Sequence, residues 1–376
     1  MQNIPSLTPL RGIAALLVLL FHLVRPGYLY GLTGGREALV ISKGYLWVDF
    51  FFVLSGFIIA HVYRGDFLDG VSRAHYGRFL LARLARIFPL HVFMLGLFVA
   101  LELTRLVVQL LGLGSDYPVF FGARSIESLI ASMLFLHFAH MDQSSAWNSV
   151  AWSLSVEWWC YVVFPFVAAV TWHRVTSMRA VAGLLCLFLT AFWLGTVDSQ
   201  RQLDLLNYWA MARGGIEFLI GMLIYWFYER RRWAGIVGSD VVFWGAFLLV
   251  FLLFHLGAPD ASVIPIFGVI ALSAAYNRGI AYKILNTRPM VFLGEISFSL
   301  YLTHMFLLGT LWKLQEVLFG PSLAAGLGYG GSAIALLLFI AITIGFSYMT
   351  WRFVEVPGRA FIRSFVRKSA VVPALS

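Results

Sequence analysis

The sequence predicts an all-α polytopic membrane protein with about ten transmembrane helices and one short re-entrant or interfacial helix. Three observations carry that expectation. The chain is 60% hydrophobic and only 12% charged, with a mean hydropathy of +0.84, whereas soluble domains hold about 25% charged residues. Its apolar residues fall into runs approaching the roughly 20 residues that a helix needs to cross the hydrocarbon core. Its basic residues collect in alternate connections between those runs, as the positive-inside rule requires.

The runs, in order, cover residues 7–26, 44–62, 87–111, 150–171, 180–197, 213–229, 241–256, 262–277, 290–311 and 331–351. Ile126 to Phe138 is also apolar but too short to span, and reads as the re-entrant or interfacial helix. The first run has no basic residue before Arg11 and no small-x-small site after it, so it is expected to stay as a helix rather than be removed as a signal peptide. No long Ser- or Pro-rich linker and no internal repeat interrupts the chain, which reads as a single membrane domain over residues 1–376 with no appended soluble domain. The two cysteines, Cys160 and Cys186, both lie inside apolar runs, so no disulfide or thiolate-metal framework is expected.

A net charge of +9 would suggest a nucleic-acid partner for a soluble protein. Here the charge serves topology. Arg64, Arg73, Arg78, Arg83 and Arg86, then Arg174 and Arg179, then Arg230 to Arg232, then Arg278, Lys283 and Arg288 fall in alternate connections, and Arg352, Arg359, Arg363, Arg367 and Lys368 follow the last run. The other connections hold chiefly Arg25, Arg36, Lys43, Arg124, Arg201 and Lys313. Both termini are therefore expected in the cytoplasm.

That topology gives depth to the ionisable residues. Arg11 and His22 stand eleven residues apart in the first run, which on a helix returns to one face about 20° off and about 16 Å further along. Charged groups inside a span usually face a bundle interior or a wet cavity. The other reading has Arg11 snorkelling to one interface and His22 lying at the opposite headgroup level. The second run carries Asp49 near its outer end and the fourth carries Glu157 in its outer half, so a histidine and two carboxylates share a level. Imidazole beside carboxylate suits a general base. Asp49 and Glu157 equally fit helix-end roles or pairing with outer arginines such as Arg25. On the inner side, Arg83 and Arg86 are helix neighbours whose two guanidinium forks can grip a phosphate, although a basic inner loop is ordinary in membrane proteins.

The segments LRGIAALLVLLFH, WVDFFFVLSGFIIA, RFLLARLARIFPLH, WSLSVEWWCYVVFP, GEISFSLYLTH and FVEVPGR resemble the bacterial acyltransferase family 3, integral membrane enzymes that O-acylate extracytoplasmic glycans. The most specific elements are the arginine, ten residues, histidine pattern of Arg11 and His22, the paired Arg83 and Arg86, and the SLSxE motif ending at Glu157. The resemblance implies His22 as catalytic base, Arg11 at the acyl-donor or intermediate site, and Arg83 with Arg86 on the phosphates of acyl-CoA. It also implies the bacterial inner membrane. Lack of a second, soluble acyl-transfer domain resembles the short members that act on exopolysaccharide, O-antigen or Nod factors. Two departures stand out: Thr8 and Pro9 precede Leu10 where many relatives have an Asp-Gly pair, and Trp158 follows Glu157 where many have a second acid.

Other polar positions carry less. His304 matches a family histidine and fits equally a satisfied core histidine. Ser153 and Ser155 lack a base placed by the sequence. His137, His140 and Asp142 have a ligand-like spacing without a fourth partner, so an interfacial helix is expected there and no metal. The glycines of residues 324–332 lack the lysine of a phosphate loop, and Trp147, Trp152, Trp158 and Trp159 read as interfacial anchors, one of which could stack on a sugar. Together these readings predict an acyltransferase that moves an acyl group, acetyl being the one expected, from cytoplasmic acyl-CoA to a sugar hydroxyl of an extracytoplasmic or lipid-linked glycan. His22, Glu157 and Asp49 are the expected catalytic residues; Arg11, Arg83 and Arg86 are the expected donor ligands. A transporter or flippase of a lipid-linked sugar is the rival class, since it too needs polar residues at depth.

Overall fold

The apolar runs become helices in a computed structural model that describes residues 4–24, 39–113, 118–137, 147–197, 209–231, 233–320 and 328–369. Among these residues every regular element is helical. In chain order the principal helices are α1 Leu7–Val24, α2 Trp47–Tyr63, α3 Arg73–Leu110, α4 Ile126–Met133, α5 Trp152–Thr171, α6 Ser177–Val197, α7 Trp209–Arg230, α8 Asp240–His255, α9 Ile264–Tyr276, α10 Arg288–Glu295, α11 Ser297–Phe319, α12 Tyr329–Thr350 and α13 Val356–Ser369.

Each expected span corresponds to a helix, but length divides them. Among the described residues six stretches are long and apolar enough to cross a bilayer alone, and a seventh joins them if α10 and α11, bent by 64°, form one span. Leu7–Leu23, Asp240–His255 and Asp260–Tyr276 are shorter apolar helices. The third span starts well before its expected residue 87. Ser72 caps α3 by accepting from His75 N at 3.2 Å, and the helix continues through Pro89 to Leu110, so 38 residues form one helix. At ~1.5 Å per residue that is about 57 Å, nearly twice the ~30 Å hydrocarbon core. The arginine-bearing turns of α3 therefore project beyond the apolar slab.

The short apolar run forms α4, only eight residues long, which starts at the Ser125 cap and ends before Phe135 at φ 59°. Trp147 Nε1 donates to Ser125 O at 3.2 Å and Ser128 Oγ at 3.0 Å, and Trp159 Nε1 donates to Phe135 O at 3.2 Å. These tryptophans tie the segment to α5, a packing role beside the expected interfacial one. Phe138 lies outside the described residues, as do Arg25, Arg36, His140, Asp142, Arg201, Arg232 and residues 324–327 of the glycine run.

Glycines set the closest helix contacts. A Cβ on Gly56 of α2 would stand 1.9 Å from Phe218 O of α7, and one on Gly221 would stand 2.1 Å from Val53 O. The two helices thus meet backbone to backbone, as small residues permit inside membranes. In the same way, Gly12 and Gly294 press α1 onto α10, where added Cβ atoms would reach 2.7 Å from Gly294 N and 2.3 Å from Thr8 O. Gly358 of α13 lies on Pro89 of α3, with a Cβ–Cβ approach of 2.5 Å if it were filled.

Helix ends alternate between two faces of the bundle. Arg64, just past α2, pairs with Glu229 at the end of α7 and stands 5.4 Å from the ring centroid of Trp172, just past α5. Tyr276, closing α9, donates to Tyr228 O at 2.6 Å. At the opposite face Lys43 and Tyr45, before α2, both donate to buried Asp260, before α9.

Candidate active site

Five helices, α1, α2, α3, α5 and α11, enclose a cavity with about 790 Å³ of empty space, its mouth included. Val48, Phe51, Phe52, Ser55, Ile58 and Ile59 of α2 line one side, so the cavity follows that helix for about 16 Å. Arg11 comes from α1, Arg83 and Arg86 from α3, Ser153, Glu157 and Tyr161 from α5, and Ser297, Phe298 and Tyr301 from α11. Four residues singled out by sequence, Arg11, Arg83, Arg86 and Glu157, are brought together here. The Gly12–Gly294 contact seats Arg11, and the Pro89–Gly358 contact seats the turn that carries Arg83 and Arg86.

Three arginines face one carboxylate across this lining. Glu157 accepts from Ser55 Oγ at 2.9 Å and from Tyr161 OH. Arg83 Nη2 donates to Tyr63 OH at 2.6 Å, its guanidinium lying 4.7 Å from the Tyr63 ring centroid, while its buried Nε has no hydrogen-bond partner among the described residues. Arg86 pairs with Glu355 and stands 5.1 Å from the Phe298 centroid. Glu355 is fully buried and also accepts from Ser299 Oγ at 2.9 Å and from Arg359. Among the described residues Arg11 makes no hydrogen bond or ion pair with protein. A cation without a counter-ion in an apolar bundle is costly unless an anion or water meets it, so this end of the cavity suits an anionic group.

The other expected residues lie elsewhere. Asp49 is held by Arg213 of α7 through bonds of 2.7 and 2.6 Å, with Glu217 3.8 Å from the same guanidinium. It is absent from the cavity lining, and its arginine belongs to a span rather than to an outer connection. His22 also lies off the lining: its Nδ1 is 2.9 Å from Val18 O and 3.3 Å from Nε2 of His304. Neither oxygen of Glu157 bonds to it, so the residues expected at one level occupy three separate settings. Tyr301 links cavity and histidines. Its ring lines the cavity, its hydroxyl lies 2.8 Å from Ser153 Oγ, and its centroid is 5.9 Å from that of His304.

Among the serines, Ser155 bonds His137 and lies off the cavity lining, whereas Ser153 lines it. The sequence reading did not single out Tyr161, Ser55, Tyr63, Arg213 or Glu355 as site residues. Tyr161 follows Glu157 by one helical turn, which was a usable signal. Glu355 lies in the noted segment FVEVPGR, within a π-helical turn over Trp351–Glu355, a distortion often found at functional sites.

The bundle is that of a helical membrane protein whose arginine-lined cavity lies beside a histidine pair, His304 buried and His22 half-buried. The chain belongs to an acyltransferase family, for the family model described as an acyltransferase domain matches residues 4–352. Similar proteins include the acyltransferase MdmB of Streptomyces mycarofaciens, 25% identical over 91% of this chain and 89% of that protein. The exopolysaccharide production protein ExoZ of Rhizobium meliloti is 26% identical over 77% of this chain and 83% of its own length. The O-acetyltransferase OatA of Staphylococcus aureus is 21% identical over 81% of this chain, which spans 50% of OatA. No solved structure matches the chain. Of the two classes left open by the sequence, the family decides for the acyltransferase over the transporter.

Proposed function

We propose that this acyltransferase moves an acetyl group from acyl-CoA, bound at the cytoplasmic face of the plasma membrane, to a sugar hydroxyl of an extracytoplasmic or lipid-linked glycan. The observation that carries this reading is the meeting of Arg11, Arg83 and Arg86 in one cavity, with Arg11 lacking a counter-ion among the described residues. Guanidinium forks are suited to phosphate oxygens, and the cavity's length along α2 gives a thioester arm a path away from them. The positive-inside pattern supports a cytoplasmic position for this end and for both termini.

In this scheme His22 is the general base. The sugar oxygen attacks the acyl carbon, the acyl–sulfur bond breaks, the hydroxyl proton passes to His22, and the departing thiolate is protonated as coenzyme A leaves. A route in which His22 briefly carries the acyl group uses the same residues. Glu157 balances the arginines along the acyl path. Asp49, held by Arg213, acts by fixing α2 against α7. The names of OatA and ExoZ, an O-acetyltransferase and an exopolysaccharide production protein, support the choice of acyl group and acceptor.

The test is mass spectrometry of the producing cell's glycans with and without this protein. Loss of one O-acetyl mass per modified sugar, restored by the parent and not by His22→Ala, is the expected result. Identical glycan masses in the two strains would remove the glycan acceptor.

A further inference from the structure

His304 is the unassigned residue that the geometry says most about. It lies in α11, three residues beyond the cavity-lining Tyr301, and is 1% exposed. Its Nδ1 is 3.2 Å from Leu300 O, and its Nε2 is 3.3 Å from His22 Nδ1, with the two ring centroids 4.9 Å apart. His22 Nδ1 is in turn 2.9 Å from Val18 O. Peptide carbonyls only accept, so each ring carries its proton on Nδ1. The Nδ1–H of His304 is thereby committed to Leu300, and its Nε2 offers a lone pair. The Nδ1–H of His22 is shared between Val18 O and that lone pair. The lone pair of the neutral His22 ring is therefore on Nε2.

From this we infer that His304 is the positioning residue for His22. It fixes the tautomer that makes Nε2 the base, and it accepts from Nδ1–H when the ring becomes imidazolium. A carboxylate has this task in a Ser-His-Asp triad. A neutral imidazole suits a bilayer interior better, because it brings no second charge to desolvate. Glu157 cannot serve, since its hydrogen bonds go to Ser55 and Tyr161. The assignment rests on the reading of His22 as the base. His304 undergoes no net change: the sugar proton goes to His22 Nε2 and leaves from there.

The experiment measures transfer of labelled acetyl from acetyl-CoA to the glycan fraction in membranes of the producing cell, with coenzyme A binding as the control for folding. His304→Leu removes the acceptor at similar volume, and should lower kcat about ten- to a hundredfold, the worth of one hydrogen bond to a charged group. The KM for acetyl-CoA should stay unchanged. His304→Gln places an amide oxygen near the position of Nε2 and should restore most of the rate. Should His304→Leu fail to accumulate, His304→Asn, whose amide reaches only the Nδ1 position, should show the same low rate. Parent activity in the Leu or Asn variant, or a Gln variant as slow as Leu while both bind coenzyme A, overturns the pairing. The base assignment is read separately. An active His22→Ala removes the base itself, whereas an inactive His22→Ala beside an active His304→Leu removes only its partner.

Discussion

Asp49 of α2 and Arg213 of α7 form a two-pronged ion pair with bonds of 2.7 and 2.6 Å, and both side chains are buried. The pair locks one end of the same two helices that Gly56 and Gly221 bring into backbone contact. Removing one partner leaves the other charge buried. Asp49→Ala should therefore destabilise the protein by about 3 to 5 kcal/mol, and the double variant Asp49→Ala, Arg213→Ala should recover part of that loss. Thermal unfolding in detergent measures both, and equal stability of the single and double variants would argue against coupling.

Gly56 admits no side chain without moving Phe218 O, which would lie 1.9 Å from an added Cβ. Gly56→Leu should push α2 from α7 and cost several kcal/mol, above the roughly 1 to 3 kcal/mol typical of overpacking. Gly345 has open space where its Cβ would be, so Gly345→Ala is the control and should be tolerated. A Gly56→Leu protein with the parent's melting temperature would show that the contact is looser than described.

Donor binding should depend on Arg83 and Arg86. Each charge-assisted contact to phosphate is worth roughly 1.5 to 3 kcal/mol, so Arg83→Ala should weaken coenzyme A binding about ten- to a hundredfold by calorimetry. The Arg83→Ala, Arg86→Ala double variant should be weaker still. Unchanged affinity in the double variant would place the donor elsewhere.

Turnover should need neutral His22 and should fall on the acid side, because an imidazolium cannot accept the sugar proton. His22→Ala should lose about a hundred- to ten-thousandfold in rate while still binding coenzyme A, since His22 lies off the arginine-lined cavity. Glu157→Gln should also slow transfer by removing the one carboxylate among the lining arginines. An activity that rises as pH falls would contradict the base role.

Topology has its own check. Ser72, exposed at the start of α3, is expected on the cytoplasmic side with both termini. A cysteine at Ser72 should react with an impermeant maleimide only after the membrane is opened. Labelling in intact cells would invert the arrangement and move the proposed donor site outside.

The sequence by itself determined the membrane class, a helix for each apolar run, the family, and four of the cavity's ionisable residues. Composition and run length suffice for the first two because the bilayer is a uniform solvent that demands apolar length. Arg11, Arg83, Arg86 and Glu157 were legible because a charge in or beside an apolar run is conspicuous. Tertiary structure alone decided which partner each charge meets. Depth along a span follows from counting residues, but the azimuth that turns Asp49 toward Arg213, Glu157 toward Tyr161 and His22 toward His304 depends on how helices seat on one another. That seating is set by backbone contacts at Gly56, Gly221, Gly12 and Gly294, whose glycines look alike in sequence whether they touch a neighbour or face open space. Glu355 was hidden for the same reason: it reaches Arg86 only because α13 folds back onto α3 where Gly358 meets Pro89.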